Sequence, residues 1–334
     1  MKNGVTFIGS LIVDNIKMTD TYPVQGTLCN IGEMSRCVGG LAANTSISLK
    51  VLAPKLAVAV MGLVGDDESG RYLVSKIASY GIEVSGIKTH ASLPTSFTDV
   101  MTEQGSGLRT FFHARGACAA FGHGDINFDS IKTDMAHVGY ALLLDKLDAP
   151  DAQFGTGLAR VLSELSARGI HTSIDCVTVS ASAARYRSVV LPSLPHVDAL
   201  FLNEVEARNV VGFSLTDDGG PVIGERARQA CSALLESGVR KLVVIHAPQG
   251  GWAMTKNGAF AFEPALRLPH GYIKGTVGAG DAFCAGMLCA LADGLPVEQG
   301  LKIANIASAA NLSHHNSIDG MKPLEVLREW AASL

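Results

Sequence analysis

A mainly parallel α/β sheet covered by helices, carrying a small antiparallel appendage, is the fold class this sequence predicts, and three observations predict it. Apolar, strand-like runs recur along the chain with helix-like stretches between most of them, the alternation that βαβ units require. From residue 281 to residue 330 helical patterning is almost continuous. Two regions break the alternation, 19–36 and 90–116, the second with Thr- and Phe-containing segments around turn residues.

Taken in order, strands are predicted at 5–13, 57–64, 136–144, 171–177, 197–202 and 241–246. Helices are predicted at 68–80, stopped by Gly81, and at 152–168, stopped by Gly169, because glycine tolerates the left-handed backbone of a helix end. Two Ala-rich stretches, 282–292 and 303–310, place helices in the C-terminal cluster. In the second irregular region, 96–101 and 108–113 flank the turn-like Gln104-Gly105-Ser106-Gly107. Strands left outside a main sheet can act as a lid that closes on substrate or as a dimer surface.

The chain has 334 residues, enough for a large core, with 47% hydrophobic and 17% charged residues. A net charge of -4 with scattered Lys and Arg offers nothing to a nucleic-acid backbone or an anionic membrane. Seven cysteines without a C-x-x-C pair point to free thiols in a reducing, cytoplasmic setting and away from a metal cluster. The 5–13 run has only Lys2 before it and Asp14-Asn15 after it, so it reads as a strand and not as a signal peptide. No apolar run approaches the ~18 residues of a membrane span.

The strongest chemical signal is Gly275-Thr276-Val277-Gly278-Ala279-Gly280-Asp281, a glycine-rich turn entering an apolar helix. Unpaired N–H groups at a helix start favour a phosphate, and glycine lets it approach. Asp281 beside that phosphate can accept the proton of an attacking hydroxyl, or it can simply cap the helix. The pattern is neither the common P-loop nor the dinucleotide fingerprint. Gly39-Gly40, ahead of Asn44, allows close backbone approach, and an amide can serve sugar hydroxyls. Asp14 follows the first strand, at the edge where ligands of parallel sheets bind. Asn203 and Glu206, three residues apart at a helix start, either cap a solvated helix or position magnesium-bound water.

These signals occur in one order: Asp14, Gly39-Gly40-x-x-x-Asn44, Gly65-Asp66-x-x-x-Gly70, Asn203-x-x-Glu206, then Gly278-Ala279-Gly280-Asp281. The series resembles the ribokinase-like, PfkB-type carbohydrate kinases over essentially the whole chain, 1–334. That resemblance implies a doubly wound α/β domain with lid segments near 17–36 and 90–116, and ATP-dependent phosphorylation of a sugar or nucleoside hydroxyl. It implies Asp281 as catalytic base and the amides of Gly278, Ala279 and Gly280 as anion hole. Asp14, Gly39, Gly40, Asn44 and Arg115 correspond to substrate contacts. Asn203, Glu206, Ala247, Gly250, Thr276 and Asn305 correspond to the nucleotide side, with Glu206 meeting Mg2+ through water. Arg109 falls in the lid-strand pattern. A monovalent cation and a homodimer through the lid are further implications.

The departures are Gly275 where the last motif normally opens with Asp, Cys118 for a usual Asn, Ala247 for a usual glycine and Asn316-Ser317 for a usual Gly-Ala. Gly275 touches hydrogen bonding beneath the anion hole and the cation site. With aromatic residues at 6%, few rings are available to stack on a base, which favours a sugar over a nucleoside. The competing class is a ligand-binding protein on the same scaffold.

Overall fold

The computed structural model describes residues 2–105 and 108–334. Its strands are β1 (Lys2–Gly9), β2 (Ile12–Thr19), β3 (Ile31–Gly39), β4 (Ala57–Gly65), β5 (Glu83–His90), β6 (Ser96–Glu103), β7 (Arg109–Ala114), β8 (Thr133–Ala141), the two-residue β9 (Pro150–Asp151) and β10 (Gly155–Thr156), β11 (His171–Cys176), β12 (Ala199–Asn203), β13 (Leu242–Ala247), β14 (Gly250–Thr255) and β15 (Phe260–Pro264). The α-helices are α1 (Leu41–Leu52), α2 (Glu68–Ala78), α3 (Gly116–Ala120), α4 (Asp145–Asp148), α5 (Gly157–Ala167), α6 (Ala183–Val190), α7 (Glu204–Val211), α8 (Gly224–Glu236), α9 (Ala279–Ala292), α10 (Val297–Asn311) and α11 (Leu324–Ala332).

Nine strands form the main sheet in the order β15-β14-β13-β12-β11-β8-β1-β4-β5. The seven strands from β13 to β5 pair in parallel, and β14 and β15 add an antiparallel edge. Successive side chains of a strand point to opposite faces, so Phe7 and Ile8 of β1 enter different apolar layers. One layer packs α1, α2, α9, α10 and α11, through Leu41, Leu73, Phe283, Leu301 and Leu327. The other packs α5, α6, α7 and α8, through Leu162, Val189, Val210 and Leu234. Helix α9 is buried from Asp281 to Ala290, as an all-round apolar helix must be, and Gly286 lets it touch the backbone of α10 at Ala304.

The chain runs outward from β1 to β4 and β5, then returns to the other side of β1 with β8, β11, β12 and β13. Strand order therefore reverses between β1 and β8, and the crevice beyond their C-terminal ends is where open α/β sheets bind ligands. A second sheet, β3-β2-β6-β7, lies outside the main one. Its outer pairs are antiparallel, while β2 and β6 run parallel.

Three sequence expectations shift in place. The 5–13 run is two strands, because the chain leaves the main sheet at Ser10, whose N–H donates to Gly139 O (2.9 Å), and enters the small sheet at Ile12. The lid therefore begins at Ile12, before the predicted boundary at residue 17, and His90 ends a main-sheet strand. The helix expected from 152 begins at Gly157, because Asp151 accepts from the N–H groups of Gln153 and Phe154 and Thr156 caps α5 by accepting from Ala159 N–H at 3.1 Å. Half of the 104–107 turn lies outside the described residues. Among the described residues no helix is long and apolar enough to cross a membrane.

Candidate active site

Gly278 stands at the head of α9 with φ +77°, and a Cβ there would lie 2.5 Å from Ser317 Cβ, so only glycine makes this entry. The first N–H groups of a helix find no acceptor within it; here Ala279 N–H reaches back to Thr276 O at 3.4 Å, Gly278 and Gly280 line the adjoining pocket, and Asp281 lies in the first turn. Asp281 is buried and its carboxylate is held by three donors. Asn44 Nδ2 gives to Oδ2 at 3.0 Å, while Thr45 Oγ1 at 3.2 Å and Tyr140 Oη at 2.5 Å give to Oδ1. A carboxylate offers about four lone-pair positions, so roughly one remains for a substrate hydroxyl. Burial raises the Asp281 carboxyl, opposed by these three hydrogen bonds, of which Tyr140 contributes most.

Asn44 is not free to serve a ligand with both ends. Its Nδ2 goes to Asp281, and its Oδ1 accepts from Ser317 Oγ at 2.8 Å. Ser317, one of the departures noted above, thus fixes the amide that fixes the carboxylate. Gly39 and Gly40 make room: a Cβ at Gly39 would collide with the Asp14 carboxylate, and Gly40 has φ +81° at the N-terminus of α1. Asp14 on β2 is buried and pushed up to about 7 by that burial, with Thr98 hydrogen-bonding it in the opposite sense.

Asp281 lines two cavities, and a third adjoins them across Gly280 and His246. Beneath the small sheet a cavity of about 680 Å3 is lined by Asp14, Gly40, Asn44, Arg109, Tyr140 and Asp281, among others. An apolar cavity of about 460 Å3 on the far side of the glycine turn includes Ala247, Leu266, Thr276, Phe283, Asn305 and Leu312. His246, held neutral by burial that lowers it to about 4, packs on Phe283 with ring centroids 5.1 Å apart. A pocket of about 170 Å3 joins the two, where Asp175, Glu206 and Asp281 converge with Thr178 and Asn203.

Glu206 is a buried capping-box residue. Its carboxylate accepts from Asn203 N at 2.9 Å, Asn203 Nδ2 at 2.8 Å and Thr178 Oγ1 at 2.9 Å. Three of its roughly four lone-pair positions are therefore used. Asp175 accepts one bond, from Cys176 N–H at 2.8 Å, and is raised well above the carboxylate range by burial, then by Glu206 and Asp281. Asp175 is thus the under-bonded carboxylate of this pocket, an oxygen donor of the hard kind that magnesium takes. At Gly275 a Cβ would lie 2.6 Å from Arg109 Nη2, a positive neighbour that disfavours a monovalent cation beside that residue.

Not every expected residue reaches these cavities. Arg115 donates to Leu142 O at 3.0 Å and Asp145 Oδ1 at 2.9 Å, and so holds the 142–145 segment instead of lining the cavity itself. Gly250 opens β14 at φ +142° with its Cα against the backbone of Glu263, behind the nucleotide-side cavity. Asn305 lines that cavity, but its Nδ2 donates to Glu263 O and Pro264 O and secures the wall. Tyr140, Thr45 and Asp175 were not singled out from sequence. Asp175 was within reach, since it ends a predicted strand at the ligand edge of the sheet.

A doubly wound sheet whose reversal point joins an apolar nucleotide-sized cavity, a helix N-terminus and a buried carboxylate defines a small-molecule phosphotransferase of the ribokinase-like fold. The profile described as pfkB family carbohydrate kinase matches residues 2–323, and the chain belongs to that family. A ribokinase from Schizosaccharomyces pombe is 23% identical over 327 residues, covering 96% of this chain and 95% of that protein. The solved ribokinase from Arabidopsis thaliana, complexed with ribose and ATP, superposes with TM-score 0.78 at 16% identity, covering 99% of each chain. A Burkholderia thailandensis nucleoside kinase in complex with inosine superposes with TM-score 0.76 at 17% identity, covering 99% of this chain and 98% of that one. The protein is therefore a kinase of the sugar and nucleoside class.

Proposed function

We propose that this protein transfers the γ-phosphoryl group of ATP to a hydroxyl of a sugar or sugar derivative, with Asp281 as general base. The observation that carries the reading is the Asp281 carboxylate itself, held by Asn44, Thr45 and Tyr140 with capacity left on the side of the cavity. The acceptor lies beneath the small sheet with Asp14 on its hydroxyls. The nucleotide base lies among Ala247, Phe283 and Leu312, and its phosphates run across the turn to the amides of Gly278, Ala279 and Gly280. Asp281 takes the hydroxyl proton as that oxygen attacks the γ-phosphorus in line; the bond to the β–γ bridging oxygen breaks and ADP leaves.

Asp175, and Glu206 through water, would hold magnesium, which supplies charge neutralisation for the β- and γ-phosphates. Phe111, on the rim of the acceptor cavity, is the ring a nucleoside acceptor would use. Seven unpaired cysteines fit a reducing cytoplasm. Exposed Val24, Leu28 and Met34 on the small sheet and its connection support a homodimer there.

The test is ADP release from Mg-ATP across ketoses, aldoses, polyols, sugar acids and nucleosides, with Asp281→Asn beside the wild type. Turnover should fall ~100-fold or more in the variant while nucleotide binding persists, the usual scale for loss of a general base. Comparable turnover in the variant removes Asp281 from that role.

A further inference from the structure

Among the described residues the acceptor cavity holds a charge that no carboxylate pairs. Arg109 and His113, with Phe111 between them, lie on one face of β7 and line the cavity that contains Asp14 and Asn44. Among the described residues Arg109 Nη1 and His113 Nε2 are both buried without a hydrogen-bond partner. Buried polar groups are nearly always paired, so two orphans on one face of one strand mark the place of a ligand. Burial lowers the Arg109 guanidinium, and no carboxylate acts against that. On its other side Arg109 Nη2 abuts Gly275, where there is no side chain to neutralise it.

The second orphan is oriented. Thr98 Oγ1 lies 3.0 Å from His113 Nδ1 and also hydrogen-bonds Asp14. A hydroxyl has one proton; if Thr98 gives it to the Asp14 carboxylate, His113 must donate from Nδ1 and keep Nε2 bare. Nε2 then accepts from a hydroxyl, while the guanidinium, which is always charged, demands an anion. One rim position thus asks for a negative group and the next for a hydroxyl, with Asp14 and Asp281 beyond.

We propose that the acceptor is a sugar acid whose carboxylate docks on Arg109, with an adjacent hydroxyl on His113 Nε2 and the phosphorylated hydroxyl at Asp281. The proposal rests on the kinase reading above and narrows its substrate. The cavity that Arg109 lines also takes in Thr276, Val277 and Gly278 of the glycine turn, so the KM for ATP in Arg109 variants distinguishes an acceptor carboxylate from the γ-phosphate as its partner. A neutral sugar would leave the buried Nη1 of this half-buried guanidinium without an anionic partner, which is costly.

The test compares matched pairs with the same carbons and hydroxyls: C5 and C6 aldonates and 2-keto aldonates against the corresponding alditols and ketoses. Binding is read by calorimetry and turnover by ADP release, in wild type, Arg109→Met and Arg109→Lys. Wild type should favour at least one acid over its neutral partner by about tenfold or more in kcat/KM. Arg109→Met should lose roughly 10- to 100-fold on that acid, the scale of a charge-assisted hydrogen bond, with KM for ATP unchanged, and Arg109→Lys should recover part of it. The melting temperature of Arg109→Met should be unchanged or higher, since the guanidinium leaves no partner behind.

Preference for neutral sugars, failure of every acid to bind, or an equal rise in the KM for ATP would overturn the proposal. The first and last of those outcomes leave the kinase reading standing, provided Asp281→Asn abolishes the ADP release. Acid binding that depends on Arg109, without ADP release on any compound, would instead support the anion subsite and sink the kinase reading.

Discussion

Asp14 offers the most quantitative check on the site. It sits 7% exposed on β2, and burial pushes its carboxyl from an ordinary 3.8 to about 7. That difference corresponds to about 4 kcal/mol as an upper bound. The sign follows from proton linkage: the folded form holds the proton more tightly than the unfolded one, so folding is progressively penalised from about pH 4 to about pH 7 and no further above it. Between about pH 5 and about pH 8, wild type should lose about 3 kcal/mol through this residue alone. Asp14→Asn keeps the shape and an oxygen for Thr98 but removes the charge. Urea unfolding of both proteins should therefore show the variant gaining on wild type by about 1–3 kcal/mol as pH is raised through this range, allowing for partial relaxation of the site. Acceptor KM should rise in the same variant, because an amide accepts more weakly from hydroxyls. A stability difference that is the same at both pH values would refute the claim that Asp14 is a strained, buried acid.

Two further outcomes follow from the neighbouring groups. Asp175→Asn removes the least-bonded carboxylate of the joining pocket, and the magnesium concentration for half-maximal rate should rise by about 10-fold or more, read from a metal titration at saturating ATP; an unchanged requirement would place the ion elsewhere. Tyr140→Phe removes the strongest of the hydrogen bonds that keep Asp281 ionised, so the Asp281 carboxyl should rise further and the acid limb of the kcat/KM profile should move to higher pH. An acid limb that stays in place would mean that another group sets it.

How much of this was legible in the sequence depends on the range of the interaction. The alternation of apolar runs, the glycine stops at Gly81 and Gly169 and the glycine-rich turn before Asp281 are local signals, and each gave an element or a candidate site residue. The boundary at Ser10 was not legible, because β1 and β2 are both buried and hydropathy does not change where the chain passes from one sheet to the other. The start of α5 was missed because a side-chain turn at Asp151 outcompeted helical propensity over 152–156.

The candidate site divides in the same way. Sequence alone determined which residues had the right chemistry: a carboxylate after a glycine turn, an amide after a glycine pair, an acid at a strand edge and an Asn-x-x-Glu helix start. Tertiary structure alone decided what each one does there. Asn44 and Asp281 are 237 positions apart, and their bond exists only because α1 and α9 pack side by side in one layer. Tyr140 reaches Asp281 from the end of β8, Arg115 is diverted to Asp145, and Arg109, beside Gly275, has no counter-charge among the described residues. A side chain's type is carried by its own codon, but its hydrogen-bonding capacity is spent on whichever neighbours the fold supplies, and those neighbours are remote in sequence.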